Sequence, residues 1–191
     1  MIETPSPVAF LDASVLYPAL LRNMLMHFAL NDLYRPRWSA RVHEEWMSAL
    51  LRNRRNISRA QIERTRRLME FHIDDALVEG YEHRIASLTL PDADDRHVLA
   101  AAIHGEAQFI VTANLRDFPD SALARFGLVA EHPDAFLLRL LNDNRKQALT
   151  AFRELCGNRV NPRQTPREVV EILKHQGLTA TAAALKALID A

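Results

Sequence analysis

Hydrophobic and polar residues alternate along the chain in two ways, and each way predicts a different element. Three short runs, residues 8–11, 109–112 and 128–130, are almost entirely apolar and predict strands of a parallel sheet covered on both faces. Elsewhere apolar residues recur every three or four positions, which is typical of amphipathic helices. Such helices are predicted over residues 14–33, 40–54, 58–72, 74–88, 91–104, 120–125, 134–142, 144–155, 166–175 and 179–189.

Residues that cap or break helices set the limits of several of these elements. Ser39, Ser58 and Thr165 each precede a predicted helix and are suited to cap it. Pro18 lies near the start of the first long helix, where proline is tolerated. Gly105 ends the helix that precedes the second strand.

The order of the elements predicts the architecture. Strands that alternate with helices indicate an α/β fold with a central parallel sheet and helices on both faces. After Pro133 only helices are predicted, so we place a boundary near residue 132. The chain then divides into a domain of residues 1–132 and a helical C-terminal extension of residues 133–191.

Composition narrows the class of protein. The 191 residues are 48% hydrophobic and 25% charged, which excludes a disordered chain and suits one domain with an appendage. The single cysteine, Cys156, cannot form an intrachain disulfide and favours a reducing compartment. No stretch approaches the roughly 20 apolar residues of a membrane helix, and residues 1–8 lack the basic region of a signal peptide. We therefore expect a cytoplasmic protein that does not bind membranes.

Charge is balanced over the whole chain but divided along it. The 24 Lys and Arg residues equal the 24 Asp and Glu residues, which argues against binding nucleic acid through a general excess of positive charge. Residues 52–67 nevertheless contain seven arginines and one glutamate, a net charge of +6. Residues 70–95 contain eight acids and one arginine, a net charge of −7. Any contact with nucleic acid must therefore be local.

Acidic or amide side chains follow two of the predicted strands and lie in two of the predicted helices. Asp12 follows the first strand, and Asn114 and Asp117 follow the second. Side chains beyond the carboxyl ends of parallel strands converge on one crevice. The two helices add the pair Glu44 and Glu45 and the cluster Asp92, Asp94 and Asp95.

An oxygen-rich cluster of this kind suits Mg²⁺ or Mn²⁺, and such ions can activate a water and stabilise the charge on a phosphodiester. Each residue alone has a simpler interpretation. Asp12 could cap the following helix, the aspartates of residues 92–95 could favour a helix dipole, and Glu44 or Glu45 could be solvated. The histidines show no metal-ligand pattern, and His97 is expected to pack in the core or at the surface.

Three segments resemble the motifs of PIN-domain ribonucleases, in the order and spacing of that family. Residues 10–16 (Phe-Leu-Asp-Ala-Ser-Val-Leu) resemble the opening motif, residues 91–102 the third acidic motif and residues 110–119 the fourth. The resemblance covers residues 8–132, and the tail is similar to the C-terminal extension of one subgroup of VapC-type toxins. It implies a three-layer α/β/α fold and an endoribonuclease that depends on Mg²⁺ or Mn²⁺. Many members are toxins that a cognate antitoxin protein silences, and members often form homodimers.

The resemblance also implies roles for individual residues. Asp12 matches the first invariant carboxylate and Asp95 the third. Glu45 is the best match to the second because it precedes the bulky Trp46. The other residues implied are Asp92, Asp94 and Asp117 as further metal ligands, and Ser14 and Thr112 as hydroxyl residues that hold the acidic cluster or its waters.

The fourth motif departs from the commonest pattern at Asn114, where many members have aspartate. The amide oxygen of Asn114 can bind a metal or water but adds no charge, and Asp117 could supply the missing charge. This departure supports an alternative, a PIN-fold protein that binds or processes RNA with weak or no cleavage. A hydrolase of small phosphoesters and a helical adaptor built on residues 134–191 are further alternatives.

The arginine-rich stretch of residues 52–67, which runs into the predicted 58–72 helix, has three interpretations. It could clamp an RNA backbone, dock the antitoxin, or form a solvated face that pairs with the acidic segment. The candidates for RNA contact, in and just before this helix, are Arg52, Arg55, Arg59 and Arg66. Its apolar side is predicted to consist of Ile62, Leu68, Met69 and Phe71.

Overall fold

A four-stranded parallel sheet forms the centre of the protein. The computed structural model describes residues 6–159 and 163–190. The segment predicted to lack the features of a signal peptide, residues 1–8, therefore lies largely outside the described residues. The strands, which lie in the order β2-β1-β3-β4, are β1 (Val8–Leu11), β2 (Arg35–Arg37), β3 (Phe109–Val111) and β4 (Val129–Glu131). The three predicted strands and their parallel arrangement are confirmed.

Strand β2 was not predicted, because it is a proline between two arginines and has no apolar run. It lies at the edge of the sheet beside β1, where a proline is tolerated because one side of the strand is unpaired. On the other side of β1, Leu11 pairs with Val111 of β3. The residues that follow these two strands, Asp12 and Thr112, therefore leave the sheet at the same edge.

Helices on both faces of the sheet complete a three-layer α/β/α fold. Ser39, Ser58 and Thr165 each accept a hydrogen bond from the backbone N–H three residues later, which confirms them as caps. The described residues form α1 (Ala13–Leu16), α2 (Ala19–Leu30), α3 (Ala40–Asn53), α4 (Arg59–His72), α5 (Arg96–His104), α6 (Asp120–Leu123), α7 (Pro133–Asp143), α8 (Arg145–Gly157), α9 (Pro166–His175) and α10 (Thr179–Ile189). Short 3-10 helices span Glu82–Ser87, Leu115–Asp117 and Ala124–Phe126.

Three predicted helices differ from the structure. The predicted 14–33 helix is broken at Pro18, whose backbone is extended, because a proline lacks the N–H that would continue the helix. The predicted 91–104 helix begins only at Arg96, because the side chain of Asp92 accepts a hydrogen bond of 2.9 Å from the N–H of Asp94 and forms a turn instead. The predicted 74–88 helix is reduced to a short 3-10 helix at its end.

The apolar side predicted for α4 is wrong in part. Ile62 and Met69 are buried, as expected for residues two helical turns apart on one face. Leu68 and Phe71 lie outside that stripe and are 47% and 80% exposed. Helix α4 therefore buries a narrow stripe and presents the rest of its surface, apolar as well as basic, to solvent.

The C-terminal helices pack directly against the sheet domain. Helix α8 lies along α2, where Asn31 donates a 2.8 Å hydrogen bond to Glu154 and its carbonyl oxygen accepts one from Gln147. Helix α10 packs on α7. Cys156 is buried in α8, as predicted for a small core residue. None of the helices in the described part of the chain is long and apolar enough to cross a membrane.

Candidate active site

Asp12 lies at the carboxyl edge of the sheet and is held by three hydrogen bonds. It follows β1 directly and is only 8% exposed. Its Oδ1 accepts a hydrogen bond of 2.7 Å from the N–H of Ala13, so Asp12 caps α1. Its Oδ2 accepts from the hydroxyls of Ser14 at 2.6 Å and Thr112 at 2.8 Å. Capping and site formation are therefore not alternatives here, because separate oxygens of one carboxylate serve them.

The two hydroxyl groups also fix the loop that follows β3. Ser14 Oγ accepts a hydrogen bond from the N–H of Ala113 at 3.1 Å, and Thr112 Oγ1 accepts from the N–H of Asn114 at 3.0 Å. Each hydroxyl thus donates to Asp12 and accepts from backbone, which leaves it one orientation. The loop after β3 is in this way tied to the carboxylate that follows β1.

Asp95 lies just before α5 and is close to other carboxylates. Burial raises its pKa to about 6, and the charges of Asp12, Asp117 and Asp92 add to the increase. The charges of Asp12 and Asp117, which belong to separate segments, therefore act on Asp95. Among the described residues, however, no three His, Cys, Asp or Glu side chains are close enough to form a ready-made metal cage.

Asn114 and Asp117 interact with each other. The side-chain amide of Asn114 donates a hydrogen bond to Oδ2 of Asp117. The negative charge of Asp117 in turn adds to the raised pKa of Asp95. Asn114 thus orients a carboxylate of the cluster through its NH₂ group.

Glu45 reaches the first turn of α5 from α3. Its Oε1 lies 2.8 Å from Nε2 of His97 and 3.4 Å from Nε of Arg41. Glu44, by contrast, is exposed and accepts a hydrogen bond of 3.2 Å from Ser48 of its own helix. The structure therefore places Glu45, rather than Glu44, beside the helix that Asp95 precedes.

His97 is the residue of this region that the sequence did not single out for function. It is 1% exposed, as a packing residue would be, but its ring nitrogen is directed to Glu45. The signal in the sequence was a polar residue two positions after Asp95, on the buried face of an apolar helix. Asp94, a further ligand candidate, is exposed, and its carbonyl oxygen accepts a hydrogen bond of 3.4 Å from Arg41.

The arginines predicted to contact RNA differ in whether they form ion pairs. Arg52 and Arg55 are exposed, and neither forms an ion pair with the residues that the structure describes. Arg59 lies 4.0 Å from Glu44. Arg66 is bound on its own helix, at 3.1 Å to Glu63 and 2.8 Å to Glu70, so its charge is largely offset.

Comparisons with known proteins show which family the chain resembles. The family profile described as PIN domain matches residues 8–116, and the profile described as VapC50 C-terminal domain matches residues 133–187. A Mycobacterium tuberculosis (strain ATCC 25618 / H37Rv) protein named "Putative ribonuclease VapC50" is 37% identical over 101 residues, which are 53% of this chain and 59% of the relative. The match thus spans about three fifths of the relative's length. No solved structure matches the chain significantly.

Proposed function

The chain belongs to the PIN-domain family, and on that basis we propose that it is an endoribonuclease dependent on Mg²⁺ or Mn²⁺. The observation that carries the proposal is the position of Asp12 at the carboxyl edge of the sheet, where Ser14 and Thr112 hold its carboxylate and where its charge acts on Asp95. Neighbouring carboxylates without a cation repel one another, and a divalent ion would relieve that repulsion.

The donor set suits a hard divalent ion. All its donors are carboxylate oxygens, and Mg²⁺ commonly uses one or two carboxylates while it keeps several waters, so a closed cage is not required. Asp12, Glu45 and Asp95 would hold the ion, with Asp92 and Asp117 as further ligands. When bound, the ion would offset the negative charge that develops on the phosphodiester and lower the pKa of a water.

The side chains around the carboxylates prepare them for this role. Ser14 and Thr112 donate to the same oxygen of Asp12, which fixes the direction of the carboxylate. Asn114 holds Asp117 through its amide, which supports the inclusion of Asn114 in the catalytic set as a positioning group. The protein's contribution is therefore to orient oxygens before an ion and a substrate arrive.

The test is cleavage of labelled structured RNAs by the purified chain, with Mg²⁺, with Mn²⁺ and with EDTA. We expect cleavage that needs the ion and is lost in Asp12→Ala, Asp95→Ala and Glu45→Gln. Glu44→Gln is the matched control, since Glu44 is the adjacent residue on the exposed side of α3, and it should cleave normally. Cleavage that persists in both aspartate variants would exclude this function, and p-nitrophenyl phosphate in the same assay tests the small-phosphoester alternative.

A second candidate, RNA binding or processing with weak or no cleavage, is favoured by Asn114. Its amide lowers the negative charge of the fourth motif by one relative to an aspartate at that position. If this candidate is correct, the wild-type chain binds RNA without cutting it, and Asn114→Asp gains metal-dependent cleavage. If the first is correct, wild type already cleaves.

The two profile matches also support a role in a toxin–antitoxin pair, with a cognate antitoxin protein as partner and action on RNA in the cytoplasm. Induced expression should arrest growth, and co-expression of the neighbouring gene should relieve the arrest. No relief and no arrest would count against the toxin role while leaving the nuclease role open. A homodimer is an expectation from the family, which sedimentation of the purified chain can check.

Arg52 and Arg55 are the stronger candidates for contact with RNA, and Arg59 and Arg66 are the weaker ones. The guanidinium groups of Arg52 and Arg55 are exposed and without ion pairs among the described residues, whereas those of Arg59 and Arg66 face glutamates. Arg52→Gln with Arg55→Gln should weaken RNA binding and reduce its salt dependence, and Arg66→Gln should do so less. The opposite order would indicate that α4 itself lies against the RNA.

A further inference from the structure

The ring of His97 forms a direct link between α5 and α3. His97 lies in the first turn of α5, two residues after Asp95, and is 1% exposed. Its Nε2 lies 2.8 Å from Oε1 of Glu45, which is a distance typical of a charge-assisted hydrogen bond. Burying a polar ring costs free energy unless a polar partner compensates it, and Glu45 is the partner within reach of Nε2.

The surroundings of the ring assign its proton. Nδ1 of His97 is buried and has no hydrogen-bond partner among residues 6–159 and 163–190. An N–H at Nδ1 would therefore be a buried donor without an acceptor, whereas an unprotonated Nδ1 leaves only a lone pair unmatched. We therefore place the hydrogen on Nε2, the ring nitrogen that lies 2.8 Å from the carboxylate of Glu45.

Arg41 binds the same oxygen of Glu45. Its Nε lies 3.4 Å from Oε1, and its guanidinium also donates to the carbonyl oxygen of Asp94 at 3.4 Å. The closest approach of each of these two side chains to Glu45 is therefore to the same oxygen, Oε1.

We propose that His97 is a positioning residue, which holds Oε1 of Glu45 and so fixes the direction of the carboxylate that would bind the divalent cation of the active site. This inference rests on the proposed function, in which Glu45 is a metal ligand. The long side chain of Glu45 is only partly buried, so its carboxylate would otherwise sample several rotamers. Hydrogen bonds from outside the ligand set that fix a ligand in this way typically change metal affinity by about 10–100-fold.

The test is calorimetric binding of Mn²⁺ to the full-length chain and four variants. His97→Phe removes the donor but keeps a ring, and His97→Gln restores an N–H near the position of Nε2. We expect His97→Phe to weaken Mn²⁺ binding about tenfold, and His97→Gln to recover most of that loss. In a Glu45→Gln background, His97→Phe should cause little further loss, because the carboxylate that His97 holds is already absent.

The result that overturns the inference is an equal loss from His97→Phe in the wild-type and Glu45→Gln backgrounds, since His97 would then act on the fold alone. Undiminished affinity in His97→Phe overturns it as well. If the wild-type chain does not bind Mn²⁺ at all, the metal site and this inference fail together. If it binds Mn²⁺ and His97→Phe binds equally well, only this inference fails and the proposed function stands. Should His97→Phe unfold, the more exposed Arg41→Gln provides the same comparison through the second donor to Oε1.

Discussion

The hydroxyl of Thr112 donates a hydrogen bond of 2.8 Å to Oδ2 of Asp12, although the two residues are 100 positions apart. Both follow parallel strands that pair in register through Leu11 and Val111. The bond is fully buried on the side of Thr112, which is 0% exposed. It therefore connects the sheet register to the direction of the first carboxylate.

Replacement of Thr112 should lower both the stability of the fold and the activity of the site, and the two effects can be measured separately. Thr112→Val keeps the shape but removes the hydroxyl, and we expect the free energy of unfolding to fall by about 1–3 kcal/mol, because a buried bond to a charged group is lost. Mn²⁺ binding and RNA cleavage should fall as well. Thr112→Ser restores the donor and should recover both, as thermal melting and the cleavage assay can measure. If Val and Ser variants cleave equally, the hydroxyl has no role at the site.

Asp95 should limit the stability of the metal-free protein. Its pKa is raised to about 6 by burial and by neighbouring carboxylates, so its negative charge at pH 7 is unfavourable in the folded state. Asp95→Asn should therefore raise the Tm in EDTA, by about 2–4 °C for each kcal/mol gained in a chain of this size. The same variant should lose most of the Tm increase that Mg²⁺ or Mn²⁺ gives the wild-type chain.

Two controls define that experiment. Asp12→Asn should also weaken the response of the Tm to the metal, and the exposed Asp143→Asn should respond like the wild-type chain. A wild-type Tm that does not change with either ion would speak against the metal site.

His43 should make stability depend on pH in the acidic range. Its ring is 1% exposed, and Nδ1 accepts a hydrogen bond of 3.0 Å from Trp46, which only the unprotonated nitrogen can do. Burial lowers its pKa to about 4, and the positive charge of Arg66 adds to the effect. Since the unfolded chain takes up the proton at a higher pH, near 6.5, the stabilisation is complete above that pH and is lost as the pH falls toward 4.

The loss from this one histidine should amount to about 2–3 kcal/mol between pH 7 and pH 4. Urea unfolding at several pH values measures it. His43→Gln keeps an acceptor for Trp46 but does not titrate, so its stability should change less over that range. The exposed His72→Gln is the control and should follow the wild-type curve. An identical pH dependence in His43→Gln and wild type would contradict the assignment.

Asp134 should anchor the last helix. Its carboxylate accepts hydrogen bonds from the N–H groups of Thr181 at 2.8 Å and Ala180 at 3.0 Å, which begin α10. Burial alone would raise the pKa of Asp134, but these bonds outweigh it and hold the pKa below its usual range. Asp134→Ala should cost about 1–2 kcal/mol, the usual value of such a cap. Hydrogen exchange should rise in α10 far more than in β1 or β3. The control Asp143→Ala, which like Asp134 lies in α7, should change neither the free energy of unfolding nor the exchange in α10.

Much of the fold follows from local patterns. The runs at 8–11 and 109–112 could be recognised because buried parallel strands have no polar side. Strand β2 could not, since Pro36 and its two arginines form a strand only because β1 offers them an edge. Similarly, the limits of α5 depend on a turn that the Asp92 side chain makes, which periodicity does not report.

The candidate site was predictable where chain order and sheet topology sufficed. Asp12 and Thr112 lie together because their strands are neighbours. The choice of Glu45 over Glu44 rested on a family resemblance, and the structure adds a physical reason in the contact of Glu45 with His97. That contact joins helices that are distant in sequence, and the burial that accompanies it looks in sequence like ordinary core packing.

The contact between the end of α2 and α8 limits how this protein can evolve by exchange of segments. Asn31, where α2 ends, is bound by Gln147 and Glu154 of α8, and α2 begins three residues after the end of the helix that Asp12 caps. A genetic exchange that replaced everything after residue 132 with a foreign segment would leave this face of α2 without its counterpart. The two portions of the chain are therefore expected to be inherited as one unit, and a viable hybrid would need the surface of α2 to be exchanged with the tail.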